Sequence, residues 1–134
     1  MSDHGHGLPV RESPLFSSKR FQIPMLWLGG AVNPKISEIP FVSSQVDFAY
    51  TLLDLLGGDK RGFIFSKNLL NKNTHNYAHY SFGNGFGILN KNSAFLYDYT
   101  GKKALLRIGN EAQHLDSLGK SITQEAYQDF IERK

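Results

Sequence analysis

The sequence predicts an α+β protein. Three observations carry that reading. A helical pattern runs from Ser43 to Leu56, short aromatic segments separated by turn signals follow residue 62, and a second helical pattern closes the chain. The 134 residues suffice for one domain with one core. Ten Phe, six Tyr and one Trp supply large core pieces, which excludes whole-chain disorder.

Residues 1–20 read as loop, punctuated by Gly5, Gly7, Pro9, Ser13 and Pro14. FQIPMLWL, residues 21–28, is a nearly continuous apolar run bounded by Gly29-Gly30, and it predicts a strand buried on both faces. Pro24 cannot donate to a ladder, so the strand should carry a bulge or lack one neighbour there. Trp27 sits inside this run and reads as core.

A connecting segment with two prolines leads to the clearest helix. Ser44 and Asp47 resemble a capping box, Val46, Ala49, Leu52, Leu53 and Leu56 share a stripe, and Gly57-Gly58 ends the helix. FIFS, residues 63–66, then reads as a short strand. Asn84-Gly85 between aromatic runs signals a hairpin, and Thr100-Gly101-Lys102 a second turn between strands. SITQEAYQDFIERK predicts the closing helix, with Ser121 and Gln124 as its capping-box pair and Ile122, Ala126, Tyr127, Phe130 and Ile131 on one face.

Composition narrows the chemistry. With no cysteine, disulfides, thiolate metal sites and a Cys nucleophile are excluded. The net charge of +3 is scattered, so no nucleic-acid partner is expected. No stretch approaches a membrane span of about 20 apolar residues. No basic-then-apolar leader opens the chain, so taken by itself it is expected to be soluble.

Asp3-His4 is the sharpest constellation. A carboxylate oxygen and an imidazole nitrogen together suit Zn²⁺ or Mn²⁺, and Gly5 and Gly7 permit the backbone turn that brings adjacent side chains to one ion. The competing reading is an exposed polar tail, since two ligands alone make no site. His6 either contacts an anionic substrate or is a loop histidine. His75 and His79 have metal spacing only on a helix, and their aromatic surroundings read as strand, where four residues span about 13 Å. Gly83, Gly85 and Gly87 precede another strand, which argues for a hairpin or tight packing and against a phosphate loop. No GxSxG elbow marks a nucleophile.

SDHG, then RFQIPMLWLGG, then SSQVDFAYTLLDLLG resembles, in that order, the C-terminal part of the sulfatase branch of the alkaline phosphatase superfamily. Within that branch the sequence is similar to the lipoteichoic acid synthase-like phosphoglycerol transferases and sulfatases of bacterial membranes. YSFGNGFGIL and YDYTGKKALL resemble the C-terminal sheet of the group, so the resemblance covers nearly the whole chain.

The resemblance implies a fragment of an alkaline-phosphatase-like α/β fold: a loop over 1–20 carrying the metal motif, then a C-terminal α+β subdomain over 21–134. That subdomain would hold a strand-helix unit, an antiparallel sheet and a C-terminal helix. Asp3 and His4 would bind a divalent metal (Mn, Zn, Mg or Ca) in the intact parent, beside His6 as a substrate contact. The family nucleophile, a Thr or a modified Cys or Ser, lies upstream with the other acidic ligands. Only Met1-Ser2 precede the motif here, so the chain is expected to be inactive alone.

The implied partners are the N-terminal remainder of the parent enzyme and a sulfate or phosphate ester. The parent would be anchored in the inner membrane with its catalytic domain outside the cytoplasm. The family helix usually carries Asp-x-x-Pro-Thr; here Asp47 and Thr51 match and Tyr50 stands where Pro is common. The alternative is a non-catalytic binding or interaction module that keeps the fold. An open edge on the 21–28 strand further predicts a homo-oligomer through exposed surface.

Overall fold

The computed structural model describes residues 14–30, 38–71, 73–74 and 76–133. The chain forms two compact units, Met1–His75 and Asn76–Lys134. Its class is α+β, with a four-stranded antiparallel sheet and a C-terminal helix. No helix among the described residues is long and apolar enough to cross a membrane.

In the first unit a 3₁₀ turn, Ser18–Arg20, precedes the apolar run, and helix α1 spans Asp47–Leu56. Gly57 ends α1 at φ 68°, and the amide of Gly58 bonds the carbonyl of Leu53 at 2.8 Å. Only glycine takes that left-handed position without strain. The expected reciprocal cap is half-realised: the amide of Ser44 donates to Asp47 Oδ2 at 2.8 Å.

Several sequence expectations are corrected. Residues 21–28 join no sheet; a strand needs a partner edge, and the only sheet among the described residues is built from the second unit. FIFS is not a strand either. It forms turns, with the amide of Phe63 on the carbonyl of Lys60 and that of Ser66 on Phe63. The closing helix begins at Ala112, nine residues before Ser121. Trp27, expected in the core, is only half-buried, with its ring edge-on to Phe48 at 5.2 Å between centroids.

The second unit is a meander. Strands β1 (Ala78–Phe82), β2 (Gly85–Leu89), β3 (Ala94–Asp98) and β4 (Lys103–Ile108) lie in the order β1-β2-β3-β4, each antiparallel to the next. The first hairpin turns on Gly83-Asn84, one residue earlier than Asn84-Gly85 would place it, because Phe82 pairs with Gly85. Asn84 is fixed from outside its own hairpin, giving Nδ2 to Asp98 Oδ1 at 2.5 Å and accepting Thr100 Oγ1 at 2.7 Å. Asn90 Oδ1 organises the next turn, accepting the amides of Asn92 and Ser93. The expected turn at Thr100–Lys102 is present, and Lys102 adopts φ 48° in it. Leu105 is the extra residue of a bulge between β3 and β4.

Helix α2, Ala112–Glu132, packs on one face of this sheet. Its early start has a local cause. Ser93 Oγ accepts the amide of Glu111 at 3.2 Å, and Asn90 Nδ2 meets Glu111 Oε2 at 2.5 Å, so the β2–β3 turn anchors the first helical turn. Ala112, Leu115, Gly119 and Ile122 then fall on one face. The core is Phe86, Ile88, Phe95 and Leu115.

The glycine cluster serves close packing. A Cβ at Gly87 would sit 2.5 Å from Tyr80 Cε1, and one at Gly85 2.7 Å from Phe82 Cζ. The hairpin-and-packing reading of these glycines therefore holds.

Candidate functional site

Asp3, His4 and His6 lie outside the described residues, as does His75. Among the described residues no group of three or more His, Asp or Glu could hold a metal ion.

What the first unit does assemble is a polar cluster at the start of α1. Asp47 is fully buried, and so is Thr51 one turn later; they are the only buried side chains of the helix. Both face the segment 66–69. Asp47 Oδ1 accepts the amide of Lys67 at 3.1 Å, and Oδ2 accepts the Lys67 ammonium at 2.7 Å. With the Ser44 amide also on Oδ2, the carboxylate holds three donors. The hydroxyl of Thr51 donates to the Asp47 carbonyl at 2.7 Å and accepts the amide of Leu69 at 3.0 Å. Its 3.3 Å approach to the Lys67 carbonyl is secondary, because a hydroxyl has one proton to give. Ser66 Oγ donates to the Val46 carbonyl at 2.6 Å.

Chemically this cluster is a latch. A buried carboxylate engaged by two amides and an ammonium is committed to holding structure. It fixes the helix start against the 66–69 segment. Sequence reasoning noted Asp47 and Thr51 as motif positions and paired Asp47 with Ser44, but assigned neither a partner in the 66–69 segment. Lys67 carried no signal, because its role depends on a contact 20 residues away.

The second unit holds two lesser constellations. His79, on β1, stacks on Phe86 at 5.5 Å, and its Nε2 lies 3.3 Å from Thr123 Oγ1. Thr123 gives its own proton to the Gly119 carbonyl at 2.8 Å, so His79 Nε2 carries the proton between them. Burial pushes the His79 pKa below its ordinary value, which keeps the ring neutral at pH 7. It is a packing residue on a strand, without the helical spacing that would pair it with a second ligand. Burial likewise pushes the Tyr80 hydroxyl up to about 12.

Asp116 on α2 is buried, with Lys120 Nζ 2.6 Å from Oδ1, off the hydrogen-bonding direction, and Arg107 3.5 Å from Oδ2. Each cation also covers a ring: Arg107 lies over Phe95 at 5.1 Å and Lys120 over Tyr97 at 4.8 Å. The constellation joins the helix to the sheet and leaves its two cations half-exposed.

In comparisons with known proteins, no family model, no curated protein and no solved structure matches the chain.

Proposed function

We propose that the chain is the C-terminal part of a sulfatase-type domain of the alkaline phosphatase superfamily. In this reading the whole enzyme transfers or hydrolyses sulfate or phosphate esters, phosphoglycerol transfer included, and this portion is inactive until joined to the N-terminal remainder. The reading rests first on the motif order Asp3-His4-Gly5, apolar run, Asp47-x-x-x-Thr51 helix.

One observation carries it further. Asp47 and Thr51, the two helix positions that agree with the family pattern, are also the two fully buried side chains of α1. Tyr50, where the pattern differs, is not fully buried and faces the Lys60 ammonium at 5.3 Å. The departure therefore falls where the latch does not depend on it.

Asp3 and His4 would hold the metal. One carboxylate and one imidazole suit a borderline divalent cation but fall short of a full donor set, so the remainder would supply the other ligands. When bound, such a cation offsets charge on the transferred phosphoryl or sulfuryl group. His6 would contribute an imidazole to the anionic substrate. The parent would sit in the inner membrane with this portion outside the cytoplasm.

The test titrates the chain with Mn²⁺ and Zn²⁺ beside an Asp3→Ala, His4→Ala variant, alone and together with the N-terminal remainder. An aryl phosphodiester and an aryl sulfate report turnover. The proposal expects turnover only in the joined protein, lost with Asp3→Ala. Turnover by the chain alone that survives Asp3→Ala would overturn it, as would a joined protein whose metal binding ignores both substitutions.

A further inference from the structure

We propose that residues 22–28 form an unpaired strand that takes the same segment of a second copy, antiparallel, about a two-fold axis at Met25. The inference starts from burial. From Ile23 to Leu28 the side chains alternate, with Ile23, Met25 and Trp27 half-buried and Pro24, Leu26 and Leu28 exposed. That period of two is the signature of an extended chain with one covered face. Trp27 reaches the ring of Phe48 on the covered side, while Leu26 is 75% and Leu28 84% exposed on the other.

The backbone of this strand is unused. Among the described residues, no backbone amide or carbonyl of 22–28 has a hydrogen-bond partner. A strand with open edges and apolar side chains is a template for another strand.

Which edge pairs follows from Pro24. The amide and carbonyl of one residue point to the same edge, and the next residue serves the opposite edge. Pro24 deprives the even edge of a donor, whereas Ile23, Met25 and Trp27 leave the odd edge complete. Antiparallel pairing on the odd edge about Met25 sets Ile23 against Trp27 of the second copy and Met25 against its own counterpart, giving roughly six inter-strand hydrogen bonds. Pro24 then falls opposite Leu26 at a non-hydrogen-bonded position, where no amide is required and side chains approach most closely. One register thus satisfies the proline and covers part of the exposed Leu26.

The segment carries none of the charges that guard an edge strand against its own copy, and the cations at its end set the direction. Residues 22–28 carry no charge, and Lys19-Arg20 lie at one end only. Antiparallel pairing sets those cations beside the partner's neutral Gly29-Gly30, whereas parallel pairing would stack the two Arg20 side chains. A seven-residue edge spans about 23 Å and makes an interface below the usual ~1,200 Å² of stable complexes, so the dimer should be weak, with Kd in roughly the micromolar range. The inference stands on this segment alone and does not need the family reading.

Sedimentation equilibrium of the full chain, from about 1 μM to 1 mM, tests it. A reversible dimer is expected. Met25→Pro, which removes the central donor of the odd edge, should weaken it at least about tenfold, while Leu26→Pro, on the edge Pro24 already spoils, should change it less than about threefold. Because the chain has no cysteine, Met25→Cys gives a second readout: the paired Cα separation of about 5.5 Å suits a symmetric disulfide, so oxidation should trap the dimer. A monomer at about 1 mM, equal loss in both proline variants, or a Met25→Cys dimer that fails to oxidise would each overturn the proposal. If Met25→Pro loses its helical circular dichroism, the cysteine variant decides. A one-to-one complex with the N-terminal remainder that displaces the dimer leaves the self-pairing intact, so the two readings fail separately.

Discussion

Substituting Gly119 by Ala sets two known effects against each other, and the structure decides which wins. On an exposed helix surface the change should stabilise by up to about 1 kcal/mol, because alanine loses less backbone entropy. Gly119, however, is buried where α2 crosses the sheet. A Cβ there would lie 3.0 Å from Cδ2 and Cζ of Phe86 and nearer still to Cε2. Phe86 cannot yield easily. It is 1% exposed and held among Phe95 at 6.1 Å, Tyr97 at 5.9 Å and His79 at 5.5 Å. Overpacking of this kind costs typically 1–3 kcal/mol, which exceeds the propensity gain. Gly119→Ala should therefore destabilise by about 1 kcal/mol, lowering the urea midpoint by roughly 0.5 M for a protein of this size. Phe86→Leu makes room, so the double variant should be more stable than additivity predicts by about 1 kcal/mol. A Gly119→Ala midpoint equal to or above that of the parent chain would refute the packing argument.

Three further outcomes are expected. Thr51→Val should cost about 1–3 kcal/mol in urea unfolding, because the buried amide of Leu69 loses its acceptor, while Thr51→Ser stays close to the parent. Lys67→Met should cost roughly 3 kcal/mol, since it strands the Asp47 carboxylate in a site that is 1% exposed. Burial lowers the pKa of His79 in the folded chain, so the unfolded chain takes up that proton first. The His79 contribution to stability should hold above about pH 7, fall as pH drops through about 6.5, and level off below the folded pKa; His79→Gln should flatten that part of the profile measured by thermal unfolding.

The parts of the fold that were legible in the sequence are those set by neighbouring residues. Gly57 ends α1 because its own φ permits the left-handed cap, and the aromatic alternation around Gly83-Asn84 specifies a hairpin to within one residue. The misplaced elements depend on distant contacts. FQIPMLWL has the composition of a buried strand, but pairing requires an edge that composition cannot provide. The start of α2 was obscured by the polar stretch 110–114, and it is fixed by Ser93 and Asn90 from another turn. Asp47 and Thr51 were visible as a motif, whereas the Lys67 that completes their cluster was not, since nothing near Lys67 marks it. Asp3, His4 and His6 stand on sequence alone.

The two units are stabilised by different means, and the contrast bears on what the first unit is for. The second closes an aromatic core of Phe86, Ile88, Phe95 and Leu115 under α2, the ordinary solution for a small α+β body. In the first, α1 buries a carboxylate and a hydroxyl fully, while Val46 and Leu56 of its apolar stripe stay exposed. At about 25 cal/mol per Å² of apolar surface removed from water, exposed leucines and valines contribute little to stability. What positions α1 is a directional set of hydrogen bonds from Asp47 and Thr51, and hydrogen bonds fix orientation more sharply than they add stability. The helix is thus oriented by a polar latch, with Ala49, Leu52 and Leu53 half-buried and Val46, Leu56, Leu26 and Leu28 left exposed. Exposure of Leu26 and Leu28 beside an unpaired backbone is what the self-pairing of residues 22–28 would draw on.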